Sequence, residues 1–129
     1  MCLISIQLRQ HAVYKLVLVA NRDEQYDRPA LPAHFWPDHP YLLAGKDLSA
    51  RGTWLGITKQ GRIAAVTNSY LITTQESDQK LSRGNLVMDY LTGNIGPEGY
   101  LEQIRQQRTD YNGFNLLIGS SNSLHHYNN

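Results

Sequence analysis

Along residues 2–9 the side chains alternate: Cys2, Ile4, Ile6 and Leu8 fall on one side of an extended chain, Ser5, Gln7 and Arg9 on the other. This predicts a strand with one apolar face. The run YKLVLVA at 14–20 is apolar almost throughout and rich in valine, the pattern of a strand covered on both sides. Only a few polar residues around Gln10 and His11 separate the two, so together they predict a hairpin. GTWLGIT and RIAAVTN predict a second hairpin turning at Lys59, Gln60 and Gly61. Residues 27–40 hold Pro29, Pro32, Pro37 and Pro40 together with Phe35 and Trp36. They read as an ordered, aromatic-anchored loop, since flexible linkers rarely carry such apolar bulk. The polar run at 73–80 reads as a surface loop.

The period then changes. SRGNLVMDYLTGN has a helix start at Ser82, Leu86, Val87, Tyr90 and Leu91 at helical spacing, and a stop at Gly93. GPEGYLEQIRQQR predicts a second helix, with Pro97 in its first turn and Tyr100, Leu101 and Ile104 on one face. Arg105 and Arg108 lie toward its end, where they complement the helix dipole. GFNLLIG and SLHHYNN predict a further strand pair. Hairpins with grouped helices make an α+β layered fold, with antiparallel sheets and the helices after them.

Composition narrows the function classes. At 129 residues the chain suits one domain. Twelve basic residues against 11 acidic ones leave no basic footprint for nucleic acid. The longest apolar run, LVLVA, is far below the roughly 20 residues of a membrane span. The N-terminus carries no secretion-signal pattern, so cytoplasm is the default location. The single cysteine excludes an internal disulfide. His125 and His126 read as an exposed tail, because no ligand cluster shows metal-site spacing.

That cysteine is residue 2, and the first hairpin gives it neighbours. Pairing Arg9 with Tyr14 runs the ladder back until Cys2 faces Asn21, so the polar cluster Asn21, Arg22, Asp23, Glu24 emerges beside the N-terminus. Pairing Thr58 with Arg62 brings Asn68 opposite Gly52. A guanidinium beside a thiol favours the reactive thiolate. A free α-amino group, with an unperturbed pKa of about 7.7–8.0, can serve as base for an N-terminal nucleophile. A small residue at position 2 permits removal of Met1, and Asn68 and Asn115 can offer amide donors to an oxyanion. Each feature also has a plain structural reading. Cys2 can be a packing residue, NRDE a turn held by an Arg–carboxylate pair, and the two asparagines strand-end caps. Trp54 reads first as core and second as a ligand platform.

The blocks MCLI, LVLVANRDEQYDRP, GTWLGITKQGRIAAVTN, SRGNLV and YNGFNLLIG resemble, in that order, the signature blocks of the TANGO2 family, also called the NRDE proteins. The resemblance implies an N-terminal nucleophile hydrolase-like αββα sandwich. It also implies kinship with the penicillin V acylase and bile salt hydrolase group, whose cysteine nucleophile cuts non-peptide amide bonds. Carried over, Cys2 is the nucleophile and its freed amine the base. Arg22 and Asp23 orient them, Asn68 is an oxyanion donor and Asn115 a second candidate for that role. Asn21, Glu24 and Trp54 then contact the small-molecule substrate, with no cofactor or metal required. The family's association with Golgi organisation, secretion and haem trafficking implies an alternative, a non-catalytic carrier of haem or a hydrophobic metabolite, with Cys2 or a histidine as axial ligand.

Two departures stand out. Arg51 occupies the position of a second glycine before TWLG and adds a positive charge near the site entrance. The family domain is also longer, so residues 1–129 are expected to form a single domain corresponding to its N-terminal half. The sheet edge or apolar face exposed that way would allow homo-oligomers.

Overall fold

The computed structural model describes residues 2–69 and 77–129. Strands β1 (Leu3–Leu8) and β2 (Leu16–Asn21) form a two-stranded antiparallel sheet. Strands β3 (Ala30–Trp36), β4 (His39–Asp47), β5 (Leu55–Thr58), β6 (Ile63–Asn68), β7 (Phe114–Gly119) and β8 (Leu124–Asn128) form a second sheet in simple sequence order. Every pairing in it is antiparallel. Helices α1 (Arg83–Thr92) and α2 (Pro97–Gln106) are inserted between β6 and β7. The fold is therefore α+β, with two antiparallel sheets.

Both helices follow from their punctuation. The Ser82 side chain accepts from the Gly84 N–H at the start of α1, and Gly93 ends it. Pro97 opens α2. Leu86, Val87, Tyr90 and Leu91, with Tyr100, Leu101 and Ile104, are all buried. They pack on Leu42, Ala44, Ala64, Val66, Leu116 and Ile118 to make one core between helices and sheet. Gly56 lets α1 approach: a Cβ there would lie 2.7 Å from Leu91 Cδ1. At the far end of α1, the Arg62 guanidinium stacks 3.9 Å from the Tyr90 ring centroid. It donates to the Tyr90 carbonyl, an acceptor the helix itself leaves open, and to the Ile95 carbonyl beyond the helix end.

The second hairpin has the expected register, with Leu55↔Ala65 and Ile57↔Ile63 and Gly61 at φ +84° in the turn. The first is shifted by one residue. Arg9 takes a left-handed φ of +54° and bonds Lys15 rather than Tyr14, so Leu3 and not Cys2 faces Asn21. Strand β2 is also not covered on both sides, because Val19 is 66% exposed on a narrow sheet.

The expected loop at 27–40 is instead the β3–β4 hairpin. Pro32 is tolerated because β3 is an edge strand whose register breaks between Leu31 and His34, and Pro40 of β4 lies opposite the second break, between Phe35 and Trp36. Proline lacks the N–H that a regular central ladder needs. Trp36 is buried and donates to the Ala44 carbonyl, while Phe35 is exposed. His125 and His126 belong to β8 rather than to a tail, and His125 lies 3.5 Å from Glu98. Of the expected loop at 73–80, residues 73–76 lie outside the described residues. Ser77 exchanges hydrogen bonds with Asn112.

Arg51 sits at φ +61°. A side chain there costs about 1–2 kcal/mol in the left-handed region, part of which glycine's unfolded-state entropy offsets. Arg51→Gly is expected to stabilise the fold by about 0.5–1 kcal/mol, read as a higher denaturation midpoint at unchanged slope.

Candidate active site

The N-terminal hairpin ends where the larger sheet meets the start of α1, and a cavity of 820 Å³ opens there. Cys2, Arg22, Asp23 and Glu24 line it from the hairpin, Thr67 and Asn68 from the end of β6, and Ser82 to Gly84 from α1. Of the residues singled out in the sequence, Trp54 also lines this space. Asn21 and Asn115 are not among its lining residues.

The local geometry is set by short-range hydrogen bonds. The Cys2 thiol makes a 4.0 Å contact with the Asp23 carbonyl oxygen. The Leu3 N–H donates to Asn21 Oδ1 at 3.1 Å, and Asn21 Nδ2 donates to Asp23 Oδ1 at 3.4 Å. Asn21 thus clamps the first strand to the NRDE turn beside Cys2. Asn68 closes the β6–β7 ladder opposite Phe114. Asn115 acts one step back: its Nδ2 donates to Thr67 Oγ1, and its Oδ1 accepts from Asn128 Nδ2. Its amide therefore holds a cavity residue instead of facing the cavity. Arg51 lies between Ala50 and Gly52, both lining residues, without lining the space itself.

Two residues that the sequence reading passed over organise the charged wall. Asp47 accepts from Arg28 Nη2 at 2.7 Å and Nε at 2.9 Å, and from the Ser49 and Ala50 amides. Arg22 donates to Glu24 at 2.6 Å and lies 3.8 Å from Asp47. Its guanidinium is thus turned toward carboxylates. The signal was present, because Ala30 pairs with Asp47 once β3 and β4 are read as a hairpin. Arg28, two residues earlier, then falls beside that carboxylate.

Burial alone would raise the Asp47 carboxyl, but the Arg28 hydrogen bond, the two amides and the Arg28 charge outweigh it and hold it below the usual carboxylate value. Arg28 is raised in turn, mainly by its hydrogen bond to Asp47. A carboxyl depressed in the folded state contributes stability that is full above the unfolded value and lost as pH falls through the folded one. Asp47→Asn is expected to cost about 2 kcal/mol near neutral pH; the partner arginines are 24% and 35% exposed and can partly rehydrate. The melting-temperature gap between the two proteins should stay constant down to about pH 4 and narrow below it. A gap that stays constant below pH 4 would show that the carboxylate's charge is not what stabilises the wall.

Among the described residues no group of three or more His, Cys, Asp or Glu could hold a metal ion. Among the described residues no histidine lines the cavity, which leaves Cys2 as the residue there of the two kinds named as axial ligands. No described helix is long and apolar enough to cross a membrane.

Fold and site define an α+β protein whose Cys2 lines a charged cavity between a strand hairpin and a larger helix-covered sheet. The chain matches the family described as Transport and Golgi organisation 2 over residues 1–129, and it belongs to that family. It is 40% identical over 124 residues to the Transport and Golgi organization 2 homolog of Mus musculus, covering 91% of this chain and 44% of that protein. The Homo sapiens homolog is 39% identical over the same span and shares. The Drosophila melanogaster protein is 32% identical over 120 residues, 84% of this chain and 42% of that protein. The chain thus spans less than half the length of these relatives.

Proposed function

We propose that Cys2, once Met1 is removed, is the nucleophile of an amidohydrolase acting on a non-peptide amide of a small molecule. The observation that carries this reading is the shared lining of one 820 Å³ cavity by Cys2, Arg22, Asp23 and Asn68. The freed α-amine of Cys2 takes the thiol proton, and Sγ attacks the amide carbonyl carbon. Negative charge moves to the carbonyl oxygen, toward which the Asn68 amide donates. The C–N bond then breaks, the amine leaves with the proton from the α-ammonium group, and a thioester remains on Sγ. Water, deprotonated by the same amine, releases the acid and restores the thiol. Asn21 and Asp23 position the Cys2 strand, and Arg22 and Glu24 form the charged wall that meets the substrate's polar part.

The intact mass of protein purified from cells with normal methionine processing tests the first requirement. Absence of Met1, followed by a transient mass gain of one acyl group on Cys2 when an acyl amide is added, is the expected result. Retention of Met1 removes the base and overturns the mechanism, leaving a ligand-handling role without chemistry.

A further inference from the structure

The cavity at Cys2 has a continuation. Leu31, Gly45 and Trp54 line it and also line a second cavity of 580 Å³. Its lining side chains are hydrophobic. Leu16 and Leu18 of β2 form one wall, and Leu43 of β4 with Leu55 and Ile57 of β5 form the other. Leu43 pairs directly with Ile57, and the neighbouring Gly56 faces α1. Successive residues on a strand point to opposite sides, so this wall is the sheet face turned away from the helices. The hairpin β1–β2 lies over it without closing it, and Ile57 and Leu31 remain 41% and 42% exposed.

A charged, hydrogen-bonding space carrying the thiol thus passes, at Trp54, into one lined by hydrophobic side chains. Such a site is complementary to a molecule with a polar end and a single extended apolar chain. We infer that the cleft between β2 and β5 holds the linear acyl chain of the substrate, with its carbonyl carbon at Cys2. The substrate class is then the amides of medium- to long-chain fatty acids. The assignment rests on the hydrolase reading for the position of the carbonyl, and on the cleft alone for the chain. A methylene moved from water into an apolar site is worth about 0.8 kcal/mol, or about fourfold in affinity.

The test uses N-acylglycines from acetyl to myristoyl with the Met1-processed protein, reading binding by calorimetry and hydrolysis by released glycine. Affinity should rise about three- to fourfold per methylene until the cleft is filled, and kcat/KM should rise with it. Ile57→Gln, which substitutes an already exposed side chain, should flatten that dependence. Thermal melting checks that the variant is folded. Affinity and turnover that ignore chain length, while glycine release still requires Cys2, would overturn the acyl-chain site and leave the hydrolase reading standing. Affinity that climbs with chain length and is flattened by Ile57→Gln, with no glycine released, would support the acyl-chain site and overturn the hydrolase reading.

Discussion

Cys2→Ala is expected to lower amide hydrolysis by about a thousandfold or more while leaving the fold intact. The two halves of that expectation have separate grounds. A covalent mechanism has no route without its sulfur, and removing the nucleophile of comparable enzymes costs most of their rate enhancement. Structurally, Cys2 precedes β1, is half-buried, and makes one long thiol contact to the Asp23 carbonyl. Its truncation should change stability by less than about 0.5 kcal/mol. Turnover in the wild type should rise with pH as the α-amine loses its proton, through about pH 7–8. Equal hydrolysis by the wild type and Cys2→Ala would mean that the activity does not pass through this thiol. Binding that survives in Cys2→Ala while turnover is lost would separate the cavity's recognition from its chemistry.

The parts legible in the sequence are those where local chemistry and tertiary packing agree. Ser82, Gly93 and Pro97 bound the two helices because a cap, a terminator and a first-turn proline act locally. Their buried faces follow from helical spacing. The β5–β6 register was readable because a tight turn with Gly61 at φ +84° leaves little choice of pairing. The β1–β2 turn is longer: Arg9 is left-handed, and His11 Nδ1 accepts from the Val13 and Tyr14 amides. That turn took one residue more than spacing suggested. The β3–β4 hairpin, formed where proline density predicts a loop, has the larger consequence. Proline density signals a loop in general, yet an edge strand with two register breaks accommodates it. Losing that hairpin hid the Arg28–Asp47 pair, which comes together only through strand pairing. Asn115 illustrates the opposite limit: residue type and strand-end position suggested an oxyanion donor, and only the surrounding partners, Thr67 and Asn128, reveal a holding role.

That holding role depends on the β7–β8 hairpin, and so on one glycine. Gly119 ends β7 at φ +145°, a conformation that L side chains rarely adopt, and a Cβ there would overlap the Ser123 carbonyl oxygen. The overlap cannot be relieved by moving a side chain, because that carbonyl accepts from the Ser120 N–H and closes the turn. Gly119→Ala is therefore expected to cost at least about 3 kcal/mol, combining backbone strain with loss of the turn bond. Gly61 supplies the comparison: its φ is also positive, but nothing lies within 4 Å of the Cβ position. Gly61→Ala should cost only the strain, about 1 kcal/mol. Denaturant unfolding of both variants reads the clash, together with the added backbone strain at φ +145°, as the difference between them, and equal costs would show that the β7–β8 turn relaxes freely. Opening the turn should also reach the site. β8 carries Asn128, which bonds Ser69, Phe114 and Asn115, and Asn115 holds Thr67 at the cavity wall. A folded Gly119→Ala protein should accordingly bind ligands in that cavity more weakly than Gly61→Ala, although Gly119 itself is not among the residues that line it.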